Sequence, residues 1–488
     1  MPRRDLLALL LAFAVSVVVR WPLVDRPLSA HHEYCTAFTL IALTNWWVDG
    51  YTTHHGMPSG GFIREGERLF PPDRADPNER AVGLYYFSHP PLAFDLPYAL
   101  FVLTDTPPNT AGLQWLNIVL HLVTAIGLYL GLRIAVPPTW PQAPLFAAIL
   151  YLFLPATLWF HGNAYMSDML VQVPWMWHLV FAIRILRNDA APSRWAWVGF
   201  TVTLFLALYT SWLGVFALVS ALVVALLRWR LDRRVPLVPI LVCAGLAFLV
   251  AAGLTTWRFL QVIDAHALLA QLQSRLAVRG SFGAEGPSLP LLRRIVENYR
   301  ISYLPVFALL LMLLLLGLRR GIVGRALPAD LLTFILLAGL PVLLDHLVLL
   351  QYASHDFAAL KAAPLLCALA SWVVVALKRP WPHVAITATC LAGILYFHRT
   401  NPLPGRDGGR YAQEMELGHF IGANAGLDEM VFGAGVSTEP QVIWYARRNV
   451  IGVADVSHAR ALLREYHIAR GVVISGTPGA YRATHIDP

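Results

Sequence analysis

The chain has 488 residues, of which 57% are hydrophobic and 14% charged, and its mean hydropathy is +0.57. A soluble domain carries about 25% charged residues, so the composition excludes a soluble globular protein and indicates an α-helical polytopic membrane protein. The formal charge of +8 is almost wholly arginine, carried mostly in short loops between apolar runs, which is topological signalling and argues against nucleic-acid binding.

Arg3 and Arg4 precede an apolar run over 6–19, read as an uncleaved first span, although Leu28-Ser29-Ala30 faintly resembles a signal cleavage site. His31-His32-Glu33-Tyr34 follows, and two imidazoles and a carboxylate at a membrane edge are costly unless partnered or used. Sequence neighbours offer Glu33 no adjacent Arg or Lys. Ala37, Leu40, Ile41, Leu43, Trp46 and Trp47 have helical spacing and suggest an interfacial helix anchored by its tryptophans. Residues 50–80 are Gly/Pro-rich with mixed charge and suggest an irregular cap. The apolar run 91–103 is short and proline-broken where a span needs about 20 residues. Read as a second interfacial helix, it makes 25–110 one long outer loop.

Further spans are expected at 111–132, 143–161, 168–186, 195–211, 212–228, 236–254, 301–318, 329–351, 358–377 and 382–398, about eleven in all. This count places Arg133, then Arg184, Arg187 and Arg194, then Arg228, Arg230, Arg233 and Arg234 on the inside. Arg319, Arg320, Arg325, Lys378 and Arg379 follow the same side, as the positive-inside rule asks. The outer loop 255–300 is the exception, with Arg258, Arg275, Arg279, Arg293, Arg294 and Arg300. Either these bind an anionic ligand or the loop is long enough to escape the rule. Two domains are expected: 1–398, and a polar 399–488 that alternates helical and extended patterns as a small α/β domain, placed outside by the odd span count. The four cysteines are scattered and form neither a disulfide framework nor a CxxC site.

On the outer side this topology gathers His32, Glu33, His54, His55, His89, His161 and Asp168. Asp345, Tyr352 and Asp356, at spacings of seven and four, would share one helical face beside His355 and Lys361. Asp168 could instead cap the following helix, and interfacial histidines are commonly structural. Together these groups favour a polar cavity opening outward over scattered structural residues.

The order and side of these segments resemble the GT-C superfamily of lipid-sugar-dependent glycosyltransferases, in particular the protein O-mannosyltransferase and aminoarabinose transferase branch. His32-Glu33 resembles its acidic pair after the first span, with His32 in place of the usual Asp. Tyr85-Tyr86-Phe87-Ser88-His89-Pro90-Pro91-Leu92 matches the second motif, and Asp168 in Asn163-Ala164-Tyr165-Met166-Ser167-Asp168 matches the third. The likeness covers 1–230 by motif and the remainder by layout.

The resemblance implies transfer of a hexosyl or pentosyl unit from a polyprenyl-phosphate donor to a glycan, lipid or protein hydroxyl, amid membrane lipids on the outer face of a bacterial inner membrane. Glu33 would be the base, alone or with His32, and Asp168 the second acid. His89, Lys361, His355, Arg300 and Tyr86 would bind donor, and a divalent metal could sit among Glu33, Asp168, His54 and His55. The alternative class is a secondary transporter or lipid flippase, disfavoured by acids at span ends and by the absence of a sequence repeat.

Overall fold

The computed structural model describes residues 1–63, 85–187, 191–281, 286–319, 327–375, 377 and 380–488. Arg320, Arg325, Lys378, Arg379 and most of the expected 50–80 cap lie outside the described residues. The membrane part runs α1 (Arg3–Arg20), α2 (Tyr34–Asp49), α3 (Leu92–Leu103), α4 (Thr110–Ala135), α5 (Ala143–Phe153), α6 (Pro155–Phe160), α7 (Ser167–Leu170) and α8 (Gln172–Leu186). It continues through α9 (Arg194–Leu208), α10 (Leu213–Leu231), α11 (Leu237–Phe259), α12 (Ala265–Arg279), α13 (Leu289–Arg319), α14 (Ala329–Val348), α15 (Ala363–Val374) and α16 (Trp381–Thr400).

Among the described residues, eight helical stretches are long and apolar enough to cross a membrane, which makes this a multi-pass membrane protein. The other expected spans fall on α5 with α6, on α9 and on α16; of these α5 and α9 are shorter than a span. Pro155 cannot continue a hydrogen-bonded helix, so the chain breaks at Leu154 between α5 and α6. On α16, Gly393 faces the Phe153 carbonyl so closely that a Cβ there would strike it.

Two expectations are corrected. Trp46 is fully buried and donates to the Met57 carbonyl at 3.0 Å, so it anchors the loop instead of facing lipid. Asp345, Tyr352 and Asp356 do not share a helical face, because α14 ends at Val348 and two 3-10 turns, Tyr352–Ser354 and Asp356–Ala362, follow. By contrast α3 keeps an exposed apolar side at Leu96, Leu100, Val102 and Leu103, as suits a helix lying along a membrane surface.

After α16 come α17 (Gln413–Asn424), β1 (Met430–Ala434), α18 (Pro440–Ala446), β2 (Val450–Val453), α19 (Val456–Glu465), β3 (Gly471–Ser475) and β4 (Arg482–Ile486). The sheet order is β2-β1-β3-β4, parallel except for the antiparallel β3–β4 pair, a fourth strand the sequence pattern did not suggest. Side chains alternate across it: Met430, Phe432 and Val473 pack with Ala459 and Leu463 of α19. Val431, Val472 and Ile474 belong to the core that continues into the helical bundle. Both faces are covered, which is why these strands read as unbroken apolar runs.

Candidate active site

Small polar side chains join the three motif segments. Thr36 of α2 donates to the Asn163 carbonyl at 2.8 Å and accepts from the Tyr165 amide at 2.9 Å. Tyr165 in turn donates to the Ala93 carbonyl of α3 at 2.9 Å. Asn117 of α4 donates to the Phe160 and Ala164 carbonyls at 2.6 and 2.7 Å. The turn before α7 is thereby fixed against all three helices, and Asp168 lies in the first turn of α7 that follows it. His161 belongs to this internal support, within 3.0 Å of the Tyr151 hydroxyl and fully buried.

Glu33 is committed to its own loop. Its carboxylate takes both arms of the Arg26 guanidinium, at 2.9 and 3.0 Å, and the Ser29 amide and hydroxyl at 2.6 and 2.5 Å. The expectation that Glu33 lacks an adjacent cation is therefore corrected: Arg26 reaches it across a tight turn, 4% exposed against 0% for the glutamate side chain. Residues from the far end of the chain brace this turn. Gln441 donates to the Ser29 carbonyl and the Leu28 amide donates to the Tyr445 hydroxyl, both at 2.8 Å, while the Tyr411 ring lies 3.9 Å from the Arg26 guanidinium.

Next to it, His31 and His32 both turn toward Asp356, whose two oxygens lie 2.7 Å from the two Nε2 atoms. The His31 ring stacks on Trp159, and His32 meets the edge of Phe357. His355 stacks on Phe357 between His32 and Tyr352, and is itself exposed.

Asp168 is almost fully buried; Tyr352 donates to its Oδ2 at 2.5 Å and the Lys361 ammonium lies 3.4 Å from Oδ1. It does not cap a helix end. Lys361 also donates to both oxygens of Asp345 at 2.9 Å. Asp345, Tyr352 and Lys361 form the polar end of an apolar cavity of about 450 Å³, walled by Phe87, Trp212, Val215, Leu272 and Leu276, and Asp168 lies behind Tyr352 and Lys361. His89, Arg275 and Arg279 line it too. A second apolar chamber of about 210 Å³ shares Phe87, His89, Trp212 and Leu272 and extends between α10 and α11 to Phe248 and Ala252. His89 Nδ1 lies 2.9 Å from the Ser88 carbonyl, which assigns it the proton, and burial pushes the imidazole down to about 3, so His89 is neutral. Tyr86 lies flat beside it.

The structure thus brings Asp168, Lys361, His89 and Tyr86 together and places His32 and His355 in the adjoining layer. It does not bring Arg300 there: that residue pairs with Glu297, about half-exposed on α13, and Arg275 and Arg279 occupy the cavity instead. Nor do the four expected metal ligands converge. Glu33 is taken by Arg26, Asp168 by Lys361, and His54 by Asp49 at 3.2 Å, while His55 is exposed. Arg26 escaped the sequence reading; Arg275 and Arg279 were signalled by their breach of the positive-inside rule.

No protein-family model matches the chain, and no curated protein is significantly similar to it in sequence. Solved structures do resemble it. ArnT from Cupriavidus metallidurans bound to undecaprenyl phosphate aligns over 96% of this chain and 92% of its own, at 15% identity and a TM-score of 0.59. The archaeal oligosaccharyltransferase AglB from Archaeoglobus fulgidus, with an inhibitory peptide and a dolichol-phosphate, aligns over 97% and 69%, at 12% identity and a TM-score of 0.54. The chain shares the fold of these two structures, the GT-C fold.

Proposed function

We propose that the protein is a membrane glycosyltransferase that moves a monosaccharide from a polyprenyl-phosphate donor to an acceptor hydroxyl on the outer membrane face. One observation carries the reading: an apolar cavity of about 450 Å³ ends in Lys361, Arg275 and Arg279 beside a buried carboxylate. That is the shape and polarity of a lipid tail joined to a phosphate headgroup. The lipid phosphates in the ArnT and AglB structures support the same donor class.

In this reading Lys361 and Arg279 hold the phosphate and offset the charge that grows as the sugar leaves. His89, neutral with Nε2 unprotonated, can accept from a donor hydroxyl, since the Tyr352 hydroxyl proton is given to Asp168. Asp168 is the base: the Lys361 ammonium, 3.4 Å from Oδ1, keeps the carboxylate ionised for the acceptor proton while Tyr352 fixes the other oxygen. Glu33, saturated by Arg26 and Ser29, becomes the residue that sets the His31–His32 turn. Binding of undecaprenyl phosphate to purified protein, followed by turnover with a panel of polyprenyl-phosphate sugars, tests the proposal. Transfer from one member supports it; lipid binding with no transfer from any would return the chain to the flippase class.

A further inference from the structure

The two imidazoles at the start of the first loop do more than fill space. Adjacent residues in helix or strand point apart, but here His31 and His32 face the same carboxylate. The chain achieves this by holding His32 at φ +55°, a left-handed conformation that few residues other than glycine adopt. Such an outlier at a polar cluster invites a functional explanation. The third member, Asp356, arrives from a turn more than three hundred residues later, and the three donor atoms all lie within 4.8 Å of one another. Simple hydrogen bonding satisfies only half of the arrangement. His31 is aligned with Oδ2, whereas His32 Nε2 approaches Oδ1 to 2.7 Å without the alignment of a hydrogen bond, so Oδ1 has a close imidazole neighbour but no hydrogen bond.

We propose that His31, His32 and Asp356 bind one divalent cation of the zinc class. Two imidazoles and a carboxylate are a donor set suited to Zn²⁺ or Co²⁺ and unsuited to Mg²⁺ or Ca²⁺, which take oxygen ligands. A bound cation would draw both nitrogens and the carboxylate toward one centre and resolve the misaligned contact. The site is preorganised: Glu33, next in sequence, is pinned by Arg26 and Ser29, and Trp159 backs the His31 ring. It is also reachable, with side-chain exposures of 39% for His31, 22% for His32 and 15% for Asp356. It differs from the donor headgroup site, from which His355 and Phe357 separate it.

The test is equilibrium titration of the full-length, chelator-stripped protein in detergent, purified without a polyhistidine tag, using zinc chloride. Cobalt(II) absorption serves as a second readout. One equivalent should bind, and His31→Ala, His32→Ala or Asp356→Asn should each weaken it by more than the roughly 10–100-fold typical of losing an outer-shell partner. His54→Ala, at another buried histidine, should leave the titration unchanged and controls for general histidine loss. A wild-type chain that shows no saturable zinc binding overturns the proposal. So does binding that survives all three substitutions in folded protein, as judged by gel filtration. Because the titration needs no sugar donor, a chain that binds zinc yet transfers no sugar retains this site and overturns only the transferase reading.

Discussion

Glu33 and Asp168 are both buried carboxylates with a basic partner, yet their amides should fail in different ways. Glu33→Gln strands the Arg26 guanidinium, and removing one member of a buried pair costs about 3–5 kcal/mol. Its thermal midpoint in detergent should fall clearly; an unchanged midpoint would show that the Tyr411 and Trp159 rings suffice for Arg26. Asp168→Asn leaves Lys361 paired with Asp345, so the fold should hold while turnover drops by roughly 10²-fold or more. Near-normal turnover would assign the base elsewhere. Lys361 is a poor probe of donor binding, since Lys361→Ala leaves two buried carboxylates unpaired. Arg279 has no ion pair among the described residues, so Arg279→Ala should raise the donor KM roughly 10–100-fold, as for losing a charge-assisted bond, without lowering the midpoint. An unmoved KM would take Arg279 out of the donor site. His89 supplies a pH signature. Its folded value, about 3, lies below the ordinary 6.5, so the unfolded chain takes up the proton first and stability is lost as pH falls from about 6.5 toward 3. His89→Gln should flatten the midpoint between pH 7 and 5; an equally steep loss would trace it to other groups. At this scale the acids were legible because a charge in an apolar setting stands out. Arg26 was not, because it meets Glu33 through a tight turn over Pro27 and not along a helix, and no periodicity marks the closure of such a turn.

Helices and strands were readable where the apolar period was long, and misread where it was interrupted. The break at Leu154 follows from Pro155 and lets α16 approach, whereas the end of α14 at Val348 turns Tyr352 toward Asp168 and leaves Asp356 for the histidines. The fourth strand was invisible because Arg482–Ile486 is mostly exposed and buries only Ile486 well. The α5–α6 break yields an element-scale prediction. Gly393→Ala sets a methyl group against the Phe153 carbonyl, and overpacking of this kind costs about 1–3 kcal/mol. A lower thermal midpoint with donor KM unchanged is expected. A midpoint equal to wild type would show that α16 can slide aside.

Across the whole molecule, the order of interfacial helix, spans and late α/β unit was legible from hydropathy and loop charge, and it corresponds to the GT-C fold. What hydropathy does not encode is which loop meets which. The meeting of the first loop with α18 joins residues more than four hundred positions apart. A topology reporter fused after residue 405 is expected to be active only outside the cytoplasm, as the odd number of crossings expected from the basic loops requires. Cytoplasmic activity would overturn the count and place the cavity's polar end inside.

The brace that Gln441 and Tyr445 place on Ser29 and Leu28 also sets a timetable for the protein's birth. At about 5–20 residues per second, the ribosome makes the histidine turn roughly half a minute before the residues that steady it exist. Until they emerge, Arg26 lacks the Tyr411 ring and the turn lacks two of its hydrogen bonds. A chain still being synthesised therefore carries the histidine turn with its Arg26 and Ser29 contacts but without the brace from α18 and Tyr411.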